Sequence, residues 1–174
     1  FTTAHRSVLH CRKTEKSNFY KDNVAVPYLN PTDRRIKSNL ANGSKGRMPY
    51  DWFYFNLVKN VSKEKTFHAC QIPQNLAELL IKSCTMPNDI VLVLFGGSGS
   101  ELEVCKANNR KFISSEIDEK YYKMILDRLN NGRIMEKYRL DLRSYEEKNS
   151  EAQLTLIKES ENAYQSKKVI SYEA

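Results

Sequence analysis

No apolar run in this 174-residue sequence is long enough to cross a bilayer. The longest, Ile90 to Phe95, falls far short of the roughly 20 residues a spanning helix needs. The N-terminus, FTTAHRSVLHCRK, shows no positive, then apolar, then small-residue pattern, so no secretory signal is visible and no membrane partner is expected. It also lacks an initiating Met and opens on a strand-like run, so it reads as a chain that begins mid-protein. Cysteine is scarce. The four residues, at 11, 70, 84 and 105, form no C-x-x-C pair, which excludes metal-finger spacing and favours a reduced, intracellular protein. His5, His10 and Cys11 fit the alternating faces of a strand better than a ligand set, so no metal is expected. Two phosphate-binding fingerprints are missing as well. Neither G-x-G-x-x-G nor G-x-x-x-x-G-K-[ST] occurs, and the second absence argues against a nucleoside-triphosphate loop.

Positive charge is plentiful and lopsided. Residues 1–65 hold 13 Lys/Arg against 5 Asp/Glu, whereas residues 66–174 hold 15 against 16. The whole net charge of +7 therefore sits in the first part of the chain. Such a field suits a polyanion, and nucleic acid is the commonest one. The bland alternative is a solvated basic surface.

Along the chain, Phe1–Arg12 and Asn18–Tyr28 read as strands, the second ending in a turn at Pro27. Residues 29–49 are polar and basic, with Asn-Gly, Lys-Gly and two prolines, and read as a long irregular loop. Tyr50 to Val58 concentrates the single Trp and several other aromatics. After Pro73 the character changes. QNLAELLIKSC, ELEVCKANN and EKYYKMILDRLNN have helical periodicity, with Gly132 stopping the last. IVLVLF reads as a strand buried on both faces of a parallel sheet, and RKFISSEID as a second strand. Helix, strand, helix, strand, helix over 66–132 predicts an open, mostly parallel α/β sheet with right-handed crossovers. The charged tail, 133–174, reads as loosely helical or disordered.

The stretch VLVLFGGSGS runs from strand into a loop nearly free of side chains. Ligands of doubly wound sheets sit at the carboxyl ends of the strands, and glycines let the backbone approach them. The next helix begins near Ser100 and Glu101 and offers unpaired N–H groups. Glu116 ends the following strand about 20 residues on, where a carboxylate can accept from a ribose diol. These features predict half of a nucleoside-cofactor pocket; the plain alternative is a tight turn with no ligand.

Over about 65 residues this half resembles the S-adenosylmethionine-binding part of bacterial amino-group DNA methyltransferases, which act on N6 of adenine or N4 of cytosine. The similarity is to the class in which the catalytic motif precedes the cofactor motif. Its H-P-T-Q-K-P segment is similar to His68-Ala-Cys-Gln71-Ile-Pro73, and its D-P-F-x-G-S-G-T to Val93-Leu-Phe95-Gly-Gly97-Ser98-Gly99-Ser100. Its G-R-x-F-I-G-x-E/D reads Arg110-Lys-Phe112-Ile-Ser-Ser-Glu116, and its Y-x-x-A-x-x-R-L reads Tyr122-Lys-Met-Ile-Leu-Asp-Arg128-Leu129. The resemblance implies a Rossmann-like methyltransferase sheet, here incomplete, with three parts: a basic recognition segment (1–65), a cofactor-binding unit (66–132) and the tail (133–174). It implies S-adenosylmethionine as cofactor, double-stranded DNA as partner and a bacterial cytoplasmic setting. Phe95, Gly97, Ser98, Gly99 and Ser100 would shape the pocket, with His68 and Gln71 on its floor. Glu116 would hold the ribose hydroxyls, and Phe112 and Ile117 would flank the adenine. Arg34, Arg35, Lys37, Lys45 and Arg47 would touch phosphates, with Asn39, Asn42 or Arg47 reading base edges.

Three positions depart from the family pattern. No (D/N/S)-P-P-(Y/F) tetrapeptide occurs, so the catalytic residues are unassigned; the expectation is that this motif lies upstream of Phe1, and the expected protein partner is a missing N-terminal half or a homodimer partner. Val93 stands where the family has Asp, with Glu101 a candidate substitute, and Ile72 stands for Lys. The leading reading is an adenine-N6 DNA methyltransferase. A non-catalytic DNA-binding partner or degenerate copy, and an unrelated α/β enzyme using another nucleotide such as a nicotinamide cofactor, are the alternatives.

Overall fold

The computed structural model describes residues 5–55, 58, 63–139 and the backbone of 168–172. Among the described residues four α-helices, α1 (Arg34–Ala41), α2 (Gln74–Cys84), α3 (Ser100–Ala107) and α4 (Glu119–Asn131), accompany three strands, β1 (Ile90–Val93), β2 (Lys111–Glu116) and β3 (Lys168–Tyr172). β1 and β2 pair in parallel, Ile90 against Lys111 through Val93 against Ser114. A parallel pair needs a crossover, and α3 supplies it. The α/β class expected from the sequence is the one observed.

Local chemistry explains the boundaries. Asp118 caps α4, its Oδ1 accepting from the amides of Lys120 at 2.7 Å and Tyr121 at 3.1 Å. Gly132 ends α4 in the left-handed region, φ +64°. One face each of α2, β1, α3, β2 and α4 meets in a core of Leu102, Cys105, Phe112, Ile125 and Leu129, with Ile81, Val91, Val93 and Tyr122 packed around it. Burying each large side chain contributes roughly 1.5–3 kcal/mol, so these few residues carry much of the stability.

Five sequence expectations need correction. β1 is covered on one face only: Val91 and Val93 face the core, while Ile90 and Leu92 are each 64% exposed. Residues 5–19 form no strand; the polar run Arg12–Ser17 breaks the pattern, and Val8 and Leu9 stay exposed. In 18–28 the only regular features are a 3₁₀ turn, Lys21–Asn23, and an isolated bridge from Val26 to Arg47. The expected irregular loop at 29–49 contains α1, because Asp33 caps it: Asp33 Oδ1 accepts from the amides of Arg35 at 2.8 Å and Ile36 at 3.4 Å. Finally, the tail contributes β3, antiparallel to β2 with Phe112 opposite Tyr172 and Glu116 opposite Lys168. Its sequence, KVISY, is rich in strand formers, and pairing satisfies the open edge of β2. Residues 140–167 of the tail lie outside the described residues.

The basic segment is tied to the α/β unit through α2. Tyr20 N–H donates to the Ser83 carbonyl at 2.7 Å, and Asn23 Nδ2 donates to the Lys82 carbonyl at 3.1 Å.

Candidate functional site

Beyond β1 the chain enters the loop 94–99 and turns sharply into α3. Gly96 N–H donates to the Ser115 carbonyl at 2.8 Å, which sews the loop to the end of β2. Gly97 and Gly99 take φ of +53° and +71°, a region that costs a residue with a Cβ about 1–2 kcal/mol. Space is as restrictive as angle. A Cβ on Gly96 would lie 2.8 Å from Ile125 Cδ1, and one on Gly99 3.1 Å from Ile125 Cγ1. On Gly97 it would lie 3.0 Å from His68 Nε2. The glycines therefore let the loop seat against α4 on one side and against His68 on the other.

Glu116 terminates β2 with its carboxylate at this loop. Oε2 accepts from the Gly97 amide at 2.6 Å and Oε1 from the Asp118 amide at 2.9 Å. A carboxylate has about four acceptor positions, so each oxygen keeps capacity for a further donor such as a hydroxyl. Phe95, 86% exposed, and Ile117, 46% exposed, are accessible on the loop and after β2. These free acceptor positions fit a ribose diol with an apolar ring beside it. His68 sits edge-on to Tyr121, centroids 4.7 Å apart, and its Nδ1 accepts from the Cys70 amide at 3.3 Å. That hydrogen bond leaves Nε2 as the protonated nitrogen, the one facing Gly97.

Other expected residues have different placements. Gln71 turns inward: its Oε1 accepts from Thr66 N and Oγ1, both at 3.0 Å, and its Nε2 donates to the Glu64 carbonyl at 2.5 Å. It braces the 64–71 loop that presents His68. Ser98 and Ser100 are buried and bond each other, Oγ to Oγ at 2.9 Å. Phe112 is a core residue at 1% exposure and so cannot flank an adenine. Val93 packs on the same core, and Glu101 lies within electrostatic reach of Arg128 and Cys105. Burial pushes the Glu101 carboxyl above its usual range, while its own backbone hydrogen bond and the Arg128 charge oppose the shift.

Arg128 carried no role in the sequence reading. It is 1% exposed, and its Nε is paired with Glu103 while Nη1 donates to the Ser98 carbonyl at 2.8 Å. Glu103 also accepts from Gln74 Nε2 at 2.9 Å. One buried guanidinium thus ties α4, α3, the glycine loop and, through Glu103, α2.

The basic residues lie on a separate surface. Arg34, Arg35, Ser38 and Asn39 line an open groove of about 490 Å³ on α1, and Lys37 is exposed on the same helix. Lys45 is exposed, and the Arg47 guanidinium lies 4.4 Å from the centroid of the Tyr50 ring. The ion pairs among the described residues all fall between Glu78 and Lys137, so none engages these five cations.

Comparison with known proteins meets this geometry. A model of the DNA methylase family matches residues 1–127. The chain is 33% identical over 125 residues to Type II methyltransferase M.BglII of Bacillus subtilis, covering 70% of this chain and 35% of that protein. It is 31% identical over 136 residues to Type II methyltransferase M1.MboII of Moraxella bovis, covering 70% of this chain and 52% of that protein. With DNA adenine methyltransferase YhdJ of Escherichia coli (strain K12) it shares 37% identity over 84 residues, 48% of this chain and 29% of that protein. The chain thus spans between 29% and 52% of the length of these relatives.

Proposed function

This chain belongs to the DNA methylase family, and on that premise we propose that it forms the cofactor-binding and DNA-contacting part of a site-specific DNA methyltransferase using S-adenosylmethionine. The observation that carries the reading is the Glu116 carboxylate, held by two amides at the mouth of a loop with no side chain at Gly97 or Gly99. In this reading Glu116 accepts the ribose hydroxyls, Phe95 and Ile117 border the adenine, and His68 closes the side of the loop. Arg34, Arg35, Lys37, Lys45 and Arg47 contact phosphates of double-stranded DNA, where each neutralised phosphate releases counterions and makes affinity salt-dependent. Adenine N6 is the favoured acceptor, supported by the likeness to a protein named as a DNA adenine methyltransferase. The residues that hold the flipped base are not assigned, since no (D/N/S)-P-P-(Y/F) tetrapeptide occurs in this sequence.

A second reading, a DNA-binding copy that has lost its cofactor, is favoured by one observation. Val93 stands at the position of the family's acid and packs into the core. A melting assay separates the readings. S-adenosylmethionine and its demethylated product should raise the melting temperature in a saturable way, with nicotinamide cofactors and ATP inert. Stabilisation by none of these, together with salt-dependent duplex binding, would establish the second reading. Stabilisation by a nicotinamide cofactor instead would overturn both.

A further inference from the structure

Residues 46–54 carry a second arrangement, outside the glycine loop. Its base is a two-way backbone bridge: Val26 N–H donates to the Arg47 carbonyl and Arg47 N–H to the Val26 carbonyl, both at 2.9 Å. The bridge depends on Gly46, where a Cβ would lie 2.3 Å from the Val26 oxygen. Arg47 is thereby fixed, and its guanidinium covers the Tyr50 ring at 4.4 Å from the centroid. Tyr50 stacks in turn with Trp52, centroids 5.8 Å apart and planes within 5°. Pro49 precedes the pair and restricts the approach to it.

What distinguishes this stack is its exposure. Tyr50 is 59% exposed, Trp52 68%, Phe53 40% and Tyr54 85%. A ring of this kind carries on the order of 150–250 Å² of apolar surface, and the mutual stacking of Tyr50 and Trp52 leaves more than half of each residue uncovered. The surroundings select the ligand. The segment 1–65 carries 13 cations against 5 acids, and Asp51 is the one acid within the stack itself. A cation already seated on an aromatic face, beside an open indole, suits a planar ring on an anionic backbone. Paired bases in a duplex stack on each other and present no free face; an unpaired base does.

We propose that Arg47, Tyr50 and Trp52 form a stacking platform for an unpaired nucleobase in a DNA strand. The platform rests on the DNA-contacting reading above only for the identity of the strand. It makes no use of Glu116 or the glycine loop.

Trp52 is the single tryptophan of the chain, so its emission reports on the platform alone. The full chain is titrated with a single-stranded oligonucleotide, with the same sequence as a duplex, and with S-adenosylmethionine. Binding of labelled oligonucleotide is followed in parallel by anisotropy. The expected result is saturable quenching by the single strand, weaker quenching by the duplex and none by the cofactor. Trp52→Ala should weaken single-strand binding about tenfold and duplex binding less than about threefold, with Trp52→Phe near wild type. Equal quenching by both DNA forms, quenching by S-adenosylmethionine, or anisotropy changes without quenching would each overturn the platform. The last outcome would leave DNA contact by the basic segment standing, whereas no DNA binding of any kind would remove both.

Discussion

At the scale of single residues, Arg128 organises the site more than any group that faces it. A guanidinium at 1% exposure with a carboxylate partner is held by desolvated charge on both sides. Removing one partner strands the other, at about 3–5 kcal/mol. Arg128→Ala should therefore lower the urea midpoint severely. Replacing Arg128 and Glu103 together by Met and Leu should recover most of that loss, since no charge is left unpaired. Arg128→Lys should not rescue, because an ammonium cannot reach Glu103 and the Ser98 carbonyl with one planar fork. The thiols give a simpler test. Burial, then the nearby Glu101 charge, pushes Cys105 up to about 11, while Cys11, Cys70 and Cys84 are exposed. A thiol reagent at pH 8 should modify three cysteines in the native chain and the fourth only after unfolding. The sign of the linkage follows. The folded state holds the Cys105 proton more tightly, so this group's contribution to stability is present below the ordinary thiol pKa and is lost as pH rises through it toward about 11. Neither residue could be read from the sequence in this role. The partners of Arg128 lie 25 and 30 residues away in the chain, and only the folded crossover brings them together.

At the scale of elements, the strand–loop–helix turn is governed by Ile125. The Ile125 side chain fills the space beside both Gly96 and Gly99. Gly96→Ala should destabilise by about 1–3 kcal/mol through overpacking. Ile125→Val, which removes the Cδ1 atom in the close contact, should return part of that loss, a coupling that a double-mutant cycle would measure. Gly99→Ala should not be rescued as fully, because its backbone also sits at φ +71°. The α/β elements were legible because their patterns are strong: QNLAELLIKSC, IVLV, KFISSE and EKYYKMILDRLNN fall where the periodicity puts them. α1 was not, since Arg34, Arg35, Lys37, Ser38 and Asn39 dilute the apolar pair Ile36 and Leu40. The signal that could have found it is Asp33 as cap, with Asn42-Gly43 as stop. Strand β3 escaped notice because KVISY is a short apolar run between charged neighbours, and its existence depends on a free edge of β2 that only the fold reveals.

At the scale of the molecule, a basic segment and a near-neutral α/β unit are joined through α2. The sheet packs helices on one face and leaves Ile90, Leu92 and Ile113 exposed on the other, an apolar surface of the kind that binds partners or dyes. The sequence run IVLVLF announced a strand but could not say which faces would be covered. The candidate site was legible as a loop and a carboxylate; the inward turn of Gln71, Ser98 and Ser100 was not, because polarity alone does not fix direction. The proposed grip of Glu116 on a sulfonium nucleoside beside a bare backbone loop is tested most directly by calorimetric titration of S-adenosylmethionine into the chain and into Glu116→Gln. The prediction is saturable one-to-one binding that falls by at least about tenfold in the variant, with the far-ultraviolet spectrum unchanged. Absence of binding to the parent chain, or equal affinity in both, would contradict it.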